Sequence, residues 1–306
     1  MVHHAALVVF CLLDDLSTLM KSELRVHNPS HPFLLADTES RMSLSEIATL
    51  LVLWHASHLK TFKHFFQDVV EVELREEFPN LLSYSRCVEM IPHVTALLEV
   101  ALLVLCSFNL TDINLIDSSL LRACHKLRQP SHKVMRDFAT WGYSPTREFV
   151  YGTKLHLVVN EHGHLVRFAF SQGHMSDQDL VIMEYLTRPL RGWLFGDKGY
   201  LSEELLHELL QRGLKLVTRI KSNMANVLMI RNEKKLLLQR GRIESVFNLL
   251  KNVCQIEHTR HRSAKNMLCF LLAGLLAYEL LLPNKPKMKI PPSFARRQAN
   301  DLPIAA

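Results

Sequence analysis

The texture of the chain changes near residue 110, and this change restricts the fold more than any other feature. Before it, apolar residues recur at helical spacing, as in IATLLVLWHAS and KTFKHFFQDVV. After it, short apolar runs of strand length alternate with helical stretches. Strands alternating with helices after a helical preface predict an α/β fold preceded by an all-helical N-terminal domain. The expected divisions are a helical domain over 1–110, an α/β domain over 111–282, and a Pro-rich basic tail over 283–306, expected to be flexible. Charge follows the same division. Residues 1–110 carry 7 Lys/Arg against 13 Asp/Glu, whereas the remainder carries 29 against 17. A polyanion would prefer the second part. The density peaks between Lys215 and Arg262, with 11 cations against 3 acids.

With 306 residues, 48% of them hydrophobic, the chain can bury a sizeable core in about two domains. Its six cysteines form no CxxC pair and sit mostly in apolar runs, which suits buried free thiols, a reducing setting and no structural zinc. The apolar stretches Ala5–Leu13, Val94–Phe108 and Met267–Leu282 are short for a span of roughly 20 residues, and two carry a glutamate. They are expected to be buried helices of a protein without a membrane.

Local signals place the elements. Ser43 and Glu46 form a capping-box pattern ahead of a helix, FPNLLSYS breaks the helical period, and a helix should end before Pro92. KLHLVVN and LVRFAFS flank Glu161-His162-Gly163-His164 as a hairpin. A helix is expected over Asp179–Thr187, and a buried strand in GWLFGDKGY. SEELLHELLQRG reads as a helix capped by Ser202 and ended at Gly213, with LKLVTRI as the next strand. Long helices are expected over 239–257 and 263–282.

Two carboxylates close strand-like runs: Asp117 in INLIDSS and Asp197 in WLFGD. Strand ends are where α/β folds gather their ligands. A third, Glu244, lies on the helix expected over 239–257, at about 40° from Arg240 around the helix axis, and Lys251 lies at about 20° from Arg240. Ile243, Val246, Leu250 and Val253 fall on another face, suited to packing on a sheet. The helix therefore offers a carboxylate between two cations, which suits a metal ligand flanked by phosphate contacts. Alone, Asp117 and Asp197 read more readily as turn or cap residues, and Glu244 as half of a surface ion pair with Arg240. Asp177 and Asp179 read better as caps of the helix that follows them. Glu233 and Glu257 lack the cation stripe, and Asp112 begins its strand. His156 reads as a core or surface histidine, and Asn223 and Asn226 as loop residues.

Taken together and in order, these motifs resemble the DDE transposases of bacterial insertion sequences. Arg240-x3-Glu244-x6-Lys251 is similar to the third-carboxylate signature of that family, IDSS around Asp117 to the first motif, and FGDKGY around Asp197 to the second. GTKLHLVVN, LVTRIKSNM and IEHTRHRS resemble the insertion-sequence family numbered nine-eighty-two, over about 43–282. The resemblance implies a ribonuclease-H-like catalytic domain: a mixed five-stranded sheet with helices on both faces. Asp117 would lie on the first strand, Asp197 just after the fourth, and Glu244 on a late helix. It further implies that these three acids hold two Mg2+ or Mn2+ ions for phosphodiester hydrolysis at element ends and strand transfer into target DNA. Arg240, Lys251 and, more weakly, Lys198 would contact phosphates. The partners implied are double-stranded DNA, with its terminal inverted repeats and target, and further copies of the chain in a homodimer or larger oligomer. The setting would be the bacterial cytoplasm, at the nucleoid. The tyrosine that some related groups carry seven residues before the glutamate is Leu237 here. The helical preface is acidic, so end recognition and dimerisation both stay open for it. A related nuclease without strand transfer and a non-catalytic DNA-binding descendant are the alternative readings.

Overall fold

The computed structural model describes residues 2–131, 133–144, 148–200, 202–219, 231–257, 261 and 263–291. Asn223, Asn226 and the end of the tail lie outside these residues. The chain forms two compact units, one of Met1–Val104 with Leu249–Pro283, the other of Leu105–Asn248 with Asn284–Ala306. Residues 249–282, grouped by sequence with the α/β segment, thus belong to the helical unit.

The helical unit begins with α1 (Val2–His27), α2 (Pro32–Glu39) and α3 (Leu44–Ala56). A short α4 (Phe62–His64) runs into a π turn over Phe65–Val70. Then come α5 (Tyr84–Met90), a 3-10 turn at Ile91–Val94 and α6 (Thr95–Phe108), whose last residues fall in the second unit. Pro92 sits inside the 3-10 turn, where its missing N–H costs least, so the path stays helical through it. Ser43 and Glu46 cap α3 reciprocally: the Ser43 hydroxyl accepts from the Glu46 N–H, and the Glu46 carboxylate from the Ser43 N–H at 2.7 Å. α3 is apolar all round and therefore buried, from Leu44 to His55. It packs on α1 and on α11 (Ala264–Leu281). Trp54 and His55 meet Phe270 at centroid distances of 4.7 and 4.2 Å. At Gly274 a Cβ would stand 2.4 Å from Ile256 Cγ2, so glycine permits this close approach. By length and composition, Val2–His27, Tyr84–Phe108 and Ala264–Leu281 are long and apolar enough to cross a membrane.

The second unit is built on one mixed sheet of β1 (Ile113–Arg122), β2 (Thr140–Ser144), β3 (Glu148–Asn160), β4 (Leu165–Gln172), β5 (Gly192–Phe195) and β6 (Leu214–Val217). The order is β2-β3-β1-β5-β6, with β4 also on β3. β3 is long enough that β2 pairs with its first part and β4 with the rest. Among the described residues the sheet has six strands instead of the five expected, the addition being β2. β1–β3 and β3–β4 are antiparallel, while β1–β5 and β5–β6 are parallel. The β3–β4 hairpin turns at Gly163, with φ +81°.

Helices cover the sheet. α7 (Leu180–Thr187) and α8 (Glu203–Gln211) contribute Met183, Leu186, Leu205 and Leu209 to a core with Ile116, Val158, Leu194 and Leu216. Asp179 caps α7 by accepting from the Ile182 N–H, Ser202 caps α8, and Gly213 turns the chain at φ +75°. α9 (Arg231–Leu237) and α10 (Arg242–Asn248) follow, with Ile243 and Val246 fully buried and α10 against β1. The single helix expected over 239–257 is thus several pieces. Arg240 precedes α10, a π turn occupies Leu249–Val253, and Gln255 closes it at φ +53°. The start of the basic tail is tied down rather than loose. Lys289 exchanges hydrogen bonds with the Gln239 side chain at 2.7 and 2.9 Å, and the Met288 N–H donates to the Glu161 carbonyl.

Candidate active site

The parallel pairing of β1 with β5 ends at Leu115 and Phe195. Asp117 and Asp197 each lie two residues beyond that last pair. In a parallel ladder, equal offsets leave by the same end of the sheet, which brings two carboxylates distant in sequence to one rim. Asp117 does not end its strand, as the apolar run suggested. β1 continues to Arg122 because β3 still pairs with it after β5 has stopped. Asp117 alternates with Ile116, so it faces away from the core under α7 and α8.

Arg240 joins Asp117 to Glu244. One guanidinium nitrogen stands 3.4 Å from Asp117 Oδ2 and the other 3.0 Å from Glu244 Oε1. Glu244 opens α10 and is largely exposed, whereas Asp117 and Arg240 are mostly covered. Burial pushes the Asp117 carboxyl up to about 6. The Ser118 N–H, donating to Oδ1 at 2.9 Å, and Arg240 pull it down, while Asp177 and Asp197 push it further up.

Asp177 is the member of this group that spacing does not mark. The sequence suggests a cap for it, but Asp179 takes the cap. Asp177 instead accepts from the Ser118 hydroxyl at 2.6 Å and from Lys154 Nζ at 3.2 Å. Lys154 also donates to the Met175 carbonyl at 2.6 Å, fixing the loop that carries Asp177. Near these carboxylates lies Tyr200, 1% exposed, with its hydroxyl toward Ser118. Burial, then Asp177 and Asp117, hold its phenol well above the ordinary range.

The remaining candidates lie as follows. Lys198 is exposed in the turn Lys198–Tyr200, beside Asp197. Lys251 lies in the π turn Leu249–Val253 of the helical unit. The π turn adds residues per turn, so the angles of a continuous α-helix do not carry from Glu244 to Lys251. Leu237 is buried. Glu233 is structural: it takes Lys215 at 2.7 Å and the Trp193 indole N–H at 3.2 Å. His156 is buried against the Ser171 hydroxyl at 2.8 Å, and desolvation lowers it to about 4.

Among the described residues, no three His, Cys, Asp or Glu side chains stand as a ready metal cage. Between Asp117 and Glu244 the cation in place is the Arg240 guanidinium. The donors nonetheless suit a hard divalent ion in chemistry, being carboxylate oxygens.

Residues 108–264, just over half of the chain, match the transposase DDE domain family. The chain belongs to that family, and is a transposase by descent. Among solved structures it is similar to the piggyBac transposase synaptic complex with hairpin DNA, determined by cryo-EM, at 12% identity and a TM-score of 0.46, over 98% of this chain and 82% of that one. No protein with a curated description matches the sequence significantly.

Proposed function

We propose that the chain catalyses DNA transposition by metal-dependent hydrolysis of phosphodiesters at the ends of an element and transfer of the freed strands into target DNA. What supports this reading is the β1–β5 register, which places Asp117 and Asp197 alike, together with the Arg240 pairing to Asp117 and to Glu244. Members of the family generally use divalent metal ions. Asp117, Asp197 and Glu244 would hold two Mg2+ or Mn2+ ions, which supply a polarised water or hydroxyl and neutralise the phosphate charge.

This chain's own residues set the rest. Arg240, which now pairs with Asp117 and Glu244, would donate to phosphate oxygens if a divalent ion held those carboxylates. Lys198 would add a phosphate contact, and the same role for Lys251 rests on the sequence motif alone. Tyr200 and Lys154, packed around Asp177, keep the acidic rim in position. The ribonuclease-H-like reading of the sheet rests on the order β4-β3-β1-β5-β6, antiparallel then parallel, with β2 as an appendage. The likeness to the insertion-sequence family numbered nine-eighty-two rests on the motifs of the sequence alone. Residues 1–110 would serve end recognition or dimerisation on DNA, in the bacterial cytoplasm. Of the three apolar helices α11 alone is mostly buried, so the reading without a membrane rests on α11 and on the sequence.

The test uses an oligonucleotide carrying the inverted repeat that borders the coding sequence. With Mg2+, the wild type should nick the end and join it to a target duplex, and Asp117→Asn, Asp197→Asn and Glu244→Gln should do neither. Cleavage without joining would replace the reading with a nuclease. Activity unchanged in all three variants would remove the site.

A further inference from the structure

β2 and the start of β3 form a two-stranded ribbon that carries aromatic rings on one face. Trp141 pairs in register with Tyr151, and Tyr143 with Phe149. Each pair meets edge to face, at a centroid distance of 5.6 Å. Only Tyr151 is buried. Trp141 is 39% exposed, Tyr143 66% and Phe149 65%. A strand pair that needed these rings only for stability would cover them, since each large ring left in water forgoes much of its burial gain.

The ladder shares its face with Asp117. Asp117 pairs with Leu157, and Tyr151 lies an even number of residues from Leu157 along β3, so both project to one side. The six-residue separation is about 20 Å along the strand, or about six steps of duplex DNA at 3.4 Å each. The ladder is flanked by cations. Residues 122–139 carry five Lys/Arg against Asp137 alone. Arg128 and Arg136 are both exposed. Arg136 acts electrostatically on Tyr151, and Arg128 on Cys124 beside it.

We propose that this ladder is a stacking platform for unpaired DNA, holding bases of a strand that continues beyond the acidic rim. Paired bases hide their faces in the duplex stack, so duplex DNA offers phosphate only to the flanking arginines and nothing to three exposed rings. A single strand offers both, bases to the rings and phosphates to Arg128 and Arg136. The proposal rests on the reading of the chain as a DNA-processing enzyme, and it assigns that enzyme a preference for frayed or single-stranded ends.

Binding of a labelled single strand and of the matching duplex to the full chain, followed by fluorescence anisotropy in EDTA, separates this from catalysis. The double variant Trp141→Ala/Tyr143→Ala should lose at least about tenfold in single-strand affinity, with duplex affinity changed less than about twofold. Trp141→Phe/Tyr143→Phe should restore single-strand binding, which a merely misfolded ribbon would not allow. Arg136→Ala should lower the slope of log affinity against log salt by about 0.7 for the single strand. Equal losses for both DNA forms, or no loss, overturn the proposal. So does a loss of self-association in sedimentation with DNA binding intact, which would make the ladder a contact between copies. Metal-dependent cleavage with unaltered single-strand binding in the alanine variant sinks the ladder alone. Ladder-dependent binding without any cleavage sinks the enzymatic reading alone.

Discussion

The helical unit buries histidines and thiols as neutral groups, and the sheet unit, which buries His156 in the same way, adds a rim of carboxylates. In the helical unit, His55 and His261 flank Phe270, and desolvation holds both near 4. Burial likewise keeps the thiols of Cys87 and Cys269 protonated, at about 12 and 11. These groups are neutral and packed. The rim of the sheet instead gathers Asp117, Asp177 and Asp197, with Arg240 and Lys154 offsetting part of their charge. A neutral buried group contributes packing. A crowd of half-compensated carboxylates costs stability, and such crowds mark sites that take up a cation.

The largest expected effect separates activity from stability. Asp117→Asn should lower end cleavage by at least about a hundredfold, yet stabilise the sheet unit in metal-free buffer at pH 7.5. The gain, read as a shift in urea midpoint, should be on the order of 1–3 kcal/mol, because the folded state holds this carboxyl near 6 rather than near 4. A destabilised Asp117→Asn would break the contrast. Phe270→Ala should do the reverse, costing about 3–5 kcal/mol through the cavity left among Trp54, His55 and His261. Thermal unfolding checks it.

Acid should weaken the fold through the histidines. His55, His156 and His261 are held near 4 in the folded chain against 6.5. Between those values the unfolded chain binds the extra protons, so stability is present above pH 6.5 and falls as pH drops toward 4. Asp117 acts in the opposite sense, since its folded value lies above its unfolded one and its cost appears as pH rises from 4 through 6. Asp117→Asn should therefore make the acid loss steeper, and His55→Gln shallower, in denaturant midpoints measured from pH 4.5 to 7.5. The smallest effect is local: Ser43→Ala removes one half of a capping box and should cost about 1 kcal/mol.

How much of this was legible in the sequence depended on whether the signal was local. The Ser43 cap, the turn at Gly163 and α8 with Ser202 and Gly213 follow from neighbours a few residues apart, and the structure carries them all. Asp117 and Asp197 were visible as acids ending apolar runs, but their common rim is a property of the β1–β5 register. Asp177 was misplaced because two acids two residues apart compete for one cap, and only the packing against Ser118 and Lys154 decides between them. β2 left no mark, since it is five residues long and turns its rings outward around a buried glycine, the reverse of the usual apolar-in pattern. The break at Leu249–Val253 was hidden because a π turn keeps the apolar spacing of a helix locally while shifting its phase.

The central claim is that Asp117, Asp197 and Glu244 hold a divalent ion in common. The most direct measurement is a crystal structure of the chain with an end oligonucleotide and Mn2+, read by anomalous scattering. The account predicts manganese within about 2–2.3 Å of oxygens from all three carboxylates, with Arg240 moved from between Asp117 and Glu244. Manganese bound elsewhere, with Arg240 still bridging the two acids over a seated DNA end, would contradict it.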